Sequence, residues 1–199
     1  MTADWKEFLI ELTKQSVVNP RAAARTILNL PFPNDVLWIM VLLVVILSVL
    51  LTYVTMMAAG PVVGLFGFAK SPLLLTVFMA ANMVFLIFGL YWAGRAIGGQ
   101  GDLKGFIALV TWLQALLLLA QVIQTVLIAF SPLLSSMFGT VSLLYCLWIL
   151  ILFISEAHGF DSWLKGLAVL MIAVLGVSAG LSLLLSLIGV STLGLSNYV

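Results

Sequence analysis

Five windows of this chain, Val36–Ala58, Leu73–Gly94, Phe106–Phe130, Phe138–Ser155 and Leu167–Val190, contain no Asp, Glu, Lys, Arg or His. A helix rises about 1.5 Å per residue and a bilayer's hydrocarbon core is about 30 Å thick, so roughly 17–25 apolar residues cross it. Each window has that length, and none alternates with a two-residue period. In lipid, such a run satisfies its backbone as a helix, which excludes a transmembrane barrel. The chain is therefore expected to be an all-α integral membrane protein, with a five-helix transmembrane domain over 36–199 behind a segment at 1–35. Composition agrees: 8% of the 199 residues are charged, where soluble domains hold about a quarter.

Positive residues in short connections stay cytoplasmic. Lys6, Lys14, Arg21, Arg25, Arg95, Lys104 and Lys165 fall on one side of the expected spans, and Lys70 alone on the other. This places the N-terminus in the cytoplasm and the C-terminus outside. Trp38, Tyr91, Trp92, Trp112 and Trp163 fall near the same ends, where amphipathic rings prefer to sit. The first apolar run follows a polar segment, so span one is expected to be an uncleaved anchor. Cys146, the only cysteine, falls inside span four and reads as a packing residue. A net charge of +1 offers nucleic acid no basic surface.

The segment before span one reads as an amphipathic helix pair. Trp5, Phe8, Leu9 and Leu12 recur at helical spacing, with Asp4 as the expected cap. A second helix is expected to start at Asn19 as N-cap with Pro20 in the first turn, and Arg21 and Arg25 then neighbour each other. Pro31 and Pro33 end it. Two roles fit: the pair lies in the headgroup layer with its arginines facing anionic lipid or a partner, or it covers the mouth of the bundle.

Polar atoms also occur inside the spans. Gln114, Gln121, Gln124, Thr111 and Thr125 share one side of span three, and an unpaired amide in hydrocarbon is costly, so this stripe must face the bundle. Asn82, at matching depth in span two, is its first expected partner. The stripe fits a route for a small solute or lipid, or hydrogen-bonded glue between helices. No proton-carrying side chain lies in any span, which weakens coupled transport. In span five, Gly176 and Gly180 form one close-approach ridge and Ser178, Ser182, Ser186 and Gly189 another, for packing within the bundle or across a dimer.

Two loops remain. In the stretch from Arg95 to Lys104, Gly98 and Gly99 are expected to end span two, and Asp102 to cap span three. The stretch lacks a phosphate-cradling GxxxxGK[ST] pattern and follows a helix, which argues against nucleotide. His158, the only histidine, lies near Glu156 and Asp161, but the spacing matches no metal-ligand pattern. Gly159 as helix stop and Asp161 as N-cap explain it. No nucleophile, base and orienting group occur together, so no catalytic residue, metal or cofactor is expected.

The chain resembles the Yip family of five-span membrane proteins, named for interaction with Ypt/Rab GTPases. The resemblance rests on Asn19-Pro20-Arg21 before span one, Gly98-Gly99-Gln100-Gly101 within the loop after span two, and His158-Gly159 after span four. It implies five spans with a cytoplasmic N-terminus. Eukaryotic members are implicated in ER–Golgi traffic and membrane shaping with GTPase partners. They carry Asp-Leu-Tyr-Gly-Pro before the first span, where this chain has Leu30-Pro31-Phe32-Pro33-Asn34-Asp35. The short preface is closer to prokaryotic members, which points to a bacterial inner membrane.

The functional expectation is a non-enzymatic protein that organises its membrane or binds a partner through its cytoplasmic face. Arg21, Arg25, Arg95, Gly98, Gly99, Asp102, Lys104 and His158 are its candidate lipid- or partner-binding residues. The alternative is a small-solute or lipid pathway lined by Asn82, Gln114, Gln121 and Gln124. Membrane lipids, a second copy through Gly176 and Gly180, or another membrane protein are the expected partners.

Overall fold

The structure is a computed structural model that describes residues 2–59 and 71–188, without the side chains of 2–4, 59, 181 and 183–188. Lys70, Gly189 and the tail beyond Val190, which entered the orientation and packing expectations, lie outside the described residues, as does the Ser186 side chain. The described residues form seven helices: α1 (Thr2–Val18), α2 (Pro20–Leu28), α3 (Asn34–Ala59), α4 (Pro72–Ala96), α5 (Leu103–Phe130), α6 (Pro132–Ala157) and α7 (Trp163–Ile188). α3 to α7 are the five helices long and apolar enough to cross a membrane, and no strand occurs among the described residues.

Polar caps set the helix ends. Asn19 accepts the Ala22 N–H at 3.2 Å ahead of Pro20, as its sequence implies. Ser71 caps α4 in the same way, and Asp102 caps α5 by accepting the Gly105 N–H at 3.3 Å. Ser131 alone separates α5 from α6: its N–H closes α5 on Leu127 and its hydroxyl accepts the Leu134 N–H. With proline in the first turn, α6 therefore starts at Pro132 rather than Phe138. Two expected caps move. Ser162, not Asp161, accepts the Leu164 N–H at the start of α7, and α1 begins at Thr2, ahead of Asp4.

α5 is the central helix, packed against α3, α4, α6 and α2, while α7 lies on α4 and α6. The core is densest at the end of the bundle where α1, α2 and the two glycine-bearing loops gather. There Phe106, Leu109, Ile149, Phe153 and Ile154 are fully buried together with Ala23 and Ala24 of α2. One continuous core joins the preface to the spans. At the other end, side chains such as Val122, Val126, Phe130, Leu133 and Met137 face outward, as apolar surface does where the solvent is lipid.

α1 packs on α2, and α2 packs on α5 and α6. The Trp112 indole N–H donates to Ser16 Oγ at 2.8 Å, the Tyr145 hydroxyl donates to the Val17 carbonyl, and Thr26 Oγ1 donates to Gln15 Oε1. Leu12 and Ser16 turn inward, whereas Trp5, Leu9, Ile10, Val17 and Val18 are exposed. Trp5 and Leu9 share the face of Leu12 and Ser16 and border a cavity against α3 and α5, whereas Ile10, Val17 and Val18 are exposed on other sides of α1.

Candidate functional face

His158 joins the two loops at the densely packed end. It forms the C-cap of α6, is 2% exposed, and uses both ring nitrogens. Nδ1 accepts the Gly101 N–H at 3.2 Å, which leaves Nε2 as the donor to the Leu90 carbonyl, also at 3.2 Å. The ring is therefore the neutral Nε2–H tautomer. Its backbone carbonyl accepts the Gln100 N–H, and Phe106 and Phe160 flank it with ring centroids 4.6 and 5.3 Å away. Burial pushes its pKa below 6.5, opposed by the Leu90 hydrogen bond and reinforced by the Arg95 charge.

Glycines make room for this ring. A Cβ on Gly94 or Gly99 would overlap the imidazole, and one on Gly101 would crowd Nδ1, Phe106 and the Ala157 carbonyl. Gly98 and Gly159 serve the backbone instead, since φ of +90° and +69° lets each turn the chain out of a helix. Of the expected contact residues, His158 and Gly99 thus build the face from within, Gly98 shapes its surface, and Asp102 is part of a cap.

The cations lie around this frame. Arg25, with its side chain 67% exposed, forms an ion pair with Glu156, tying α2 to the end of α6. Arg95 is exposed, donates to Tyr91 Oη at 3.4 Å and lies 5.7 Å from the Tyr91 ring centroid. Lys165 stacks over Phe160 at 5.5 Å. Arg21 is half-buried and Lys104 exposed; neither has a charged partner among the described residues. No group of three or more His, Cys, Asp or Glu that could hold a metal occurs among the described residues.

The intramembrane stripe pairs with α3. Gln114 donates to Ser48 Oγ at 3.2 Å, Gln121 donates to Thr52 Oγ1 at 3.5 Å, and the Thr55 and Thr125 hydroxyls meet at 2.7 Å. The Gln124 side chain lies against Gly139 of α6, and its backbone carbonyl accepts from the Ser135 hydroxyl. Asn82 is exposed and shares a cavity of about 210 Å³ with Gln114 and Ser48, without a hydrogen bond to either. A second cavity, about 510 Å³, lies beside Gln121 and Gln124 and has no lining residue in common with the first. The hydroxyl ladder Ser48, Thr52, Thr55 was missed from sequence, although its i, i+4, i+7 spacing was the available signal.

Gly176 and Gly180 border an open apolar groove between α4 and α7, and nothing lies within 4 Å of a Cβ placed on either. Among the described residues, that ridge is not used within the bundle.

No curated protein and no solved structure matches the chain. A family model, described as the Yip1 domain, matches residues 14–188.

Proposed function

The chain belongs to the Yip1-domain family of membrane proteins, and we propose that it is a non-enzymatic member that organises its membrane or binds a partner through the face built by α1, α2 and the His158-linked loops. The observation that carries this reading is one face presenting both exposed cations and the exposed apolar side chains Ile10, Val17 and Val18 of α1. A helix of that kind rests at the headgroup boundary, with its cations toward anionic lipid. The bias of Lys and Arg supports a cytoplasmic position for this face, with the C-terminus outside; the resemblance of the preface to prokaryotic members is what suggests a bacterial inner membrane. Segment 1–35 then acts as an interfacial module resting on the transmembrane domain. Arg21, Arg95 and Lys104 are the contact residues, Arg25 holds α2 in place, and Gly98, Gly99, Asp102 and His158 set the shape of the surface. The open ridge at Gly176 and Gly180 is where a second copy or another membrane protein packs.

Electron cryo-microscopy of proteoliposomes containing anionic lipid tests this. The wild type is expected to change vesicle shape as its density rises, and joint Arg21→Glu, Arg95→Glu and Lys104→Glu substitution to abolish the change. Equal deformation by the substituted protein would refute the role of this face. A second reading, a pathway for a small solute or lipid, is favoured by the polar cavity beside Gln121 and Gln124. The pairing of Gln114 and Gln121 with α3 favours the first.

A further inference from the structure

Two cavities meet beneath the linker between α2 and α3. The lower encloses about 410 Å³ and is walled by Phe8, Leu12, Met40, Trp112 and Ala115, with exposed Trp5 and Leu9 among its lining. The upper, about 240 Å³, is bordered by Leu28, Pro31, Gly105, Asp102 and Lys104. Ile27, Leu30, Phe32, Leu37 and Ala108 line both, so the chambers adjoin. The lower one has the size of a ligand site. Its wall includes Thr111, 4% exposed, whose hydroxyl has no hydrogen-bond partner, although a helical threonine ordinarily donates back along its own helix.

The order along the helices sets the direction of the site. On α5, Asp102 and Lys104 stand at the start, Ala108 a turn further in, and Thr111, Trp112 and Ala115 deeper again. Leu37, Met40 and Val44 descend α3 in parallel. The charged chamber therefore sits at the end of the bundle and the apolar one below it, the arrangement of head and tail in a leaflet.

We infer that this double chamber holds one phospholipid of the adjoining leaflet. One acyl chain fills the lower cavity, and a head bearing both phosphate and amine fills the upper. Both charge signs are provided: Lys104 has no ion-pair partner among the described residues and meets the phosphate. Asp102 spends Oδ1 on the Gly105 N–H and offers its other oxygen to the ammonium group. Thr111 supplies the apolar chamber's spare hydroxyl to a chain carbonyl. The assignment rests on the reading of this face as one that contacts lipid.

The test uses the full chain in phosphatidylglycerol liposomes doped with phosphatidylethanolamine carrying a diazirine on one acyl chain, irradiated and mapped by peptide mass spectrometry. Adducts are expected to concentrate on α1 and the first half of α5. Excess unlabelled phosphatidylethanolamine should compete and phosphatidylglycerol should not. Ala108→Phe, which plugs the junction of the chambers, and Lys104→Glu, a change at an exposed side chain, should each remove most of the adduct while thermal unfolding stays near wild type. Adducts spread evenly over the outward surfaces of α4 and α7 and indifferent to both substitutions would overturn the site. Equal competition by phosphatidylglycerol would overturn the assigned head. Vesicle deformation measured on the same liposomes separates failure of this site, with deformation intact, from failure of the wider reading, with deformation lost.

Discussion

The Nε2 of His158 lies 3.2 Å from the carbonyl oxygen of Leu90, so the cap of α6 is hydrogen-bonded into the last turns of α4. Because Nδ1 simultaneously accepts from Gly101, one neutral ring fixes both connections at this end of the bundle. Gly94 lies one helical turn beyond Leu90 and leaves the ring its space. Gly94→Ala is expected to destabilise the protein by about 1–3 kcal/mol through overpacking, and His158→Ala by about 2–4 kcal/mol through a cavity and an orphaned Gly101 N–H. Thermal unfolding in detergent measures both; wild-type stability in Gly94→Ala would show that the ring can move aside.

Acid should weaken the same joint. His158 is neutral when buried and its pKa is held below 6.5, so the unfolded chain takes up a proton first as the pH falls. Stability is then full above about pH 6.5 and declines below it, until the folded-state ring also titrates. Melting temperatures from pH 7.5 down to 5 should fall for the wild type, and His158→Gln should flatten that part of the curve. Identical slopes would show that other groups govern the acid limb.

Helix pairing across α3 and α5 should be individually weak. Intramembrane hydrogen bonds average about 0.6 kcal/mol, so Gln114→Leu and Gln121→Leu are each expected to cost under about 1 kcal/mol. Double-mutant cycles with Ser48→Ala and Thr52→Ala measure the coupling directly. A coupling of zero for both pairs would remove the ladder as a source of stability.

A Cβ added at Gly176 or Gly180 would meet no neighbouring group within 4 Å, so Gly176→Leu and Gly180→Leu should leave unfolding of the single chain unchanged and reduce self-association. Förster transfer between labelled copies in liposomes checks this. Unchanged transfer would exclude that ridge as the contact between copies.

The five spans were legible because each is a long apolar run free of charge, a signal that survives without tertiary information. The turns at Gly98 and Gly159 and the caps at Asn19 and Asp102 were legible too, since they depend on local chemistry. His158 reads differently in sequence and in three dimensions: its partners Leu90 and Gly101 are remote in the chain, so it looked like an exposed candidate until the fold buried it. Gln114 and Gln121 were correctly turned inward by desolvation, but choosing between Asn82 and the hydroxyls of α3 required knowing which helix neighbours α5. Ser131 shows a local signal outweighed by hydropathy: it starts α6 ahead of the fully apolar run.

Solute flux through proteoliposomes tests most directly whether the polar stripe joins helices or carries cargo. With a panel of small polar solutes loaded at neutral pH, the wild type is expected to leak no faster than protein-free vesicles, and Gln121→Leu no differently from wild type. Robust flux that Gln121→Leu abolishes would contradict the proposed role as a membrane-organising protein.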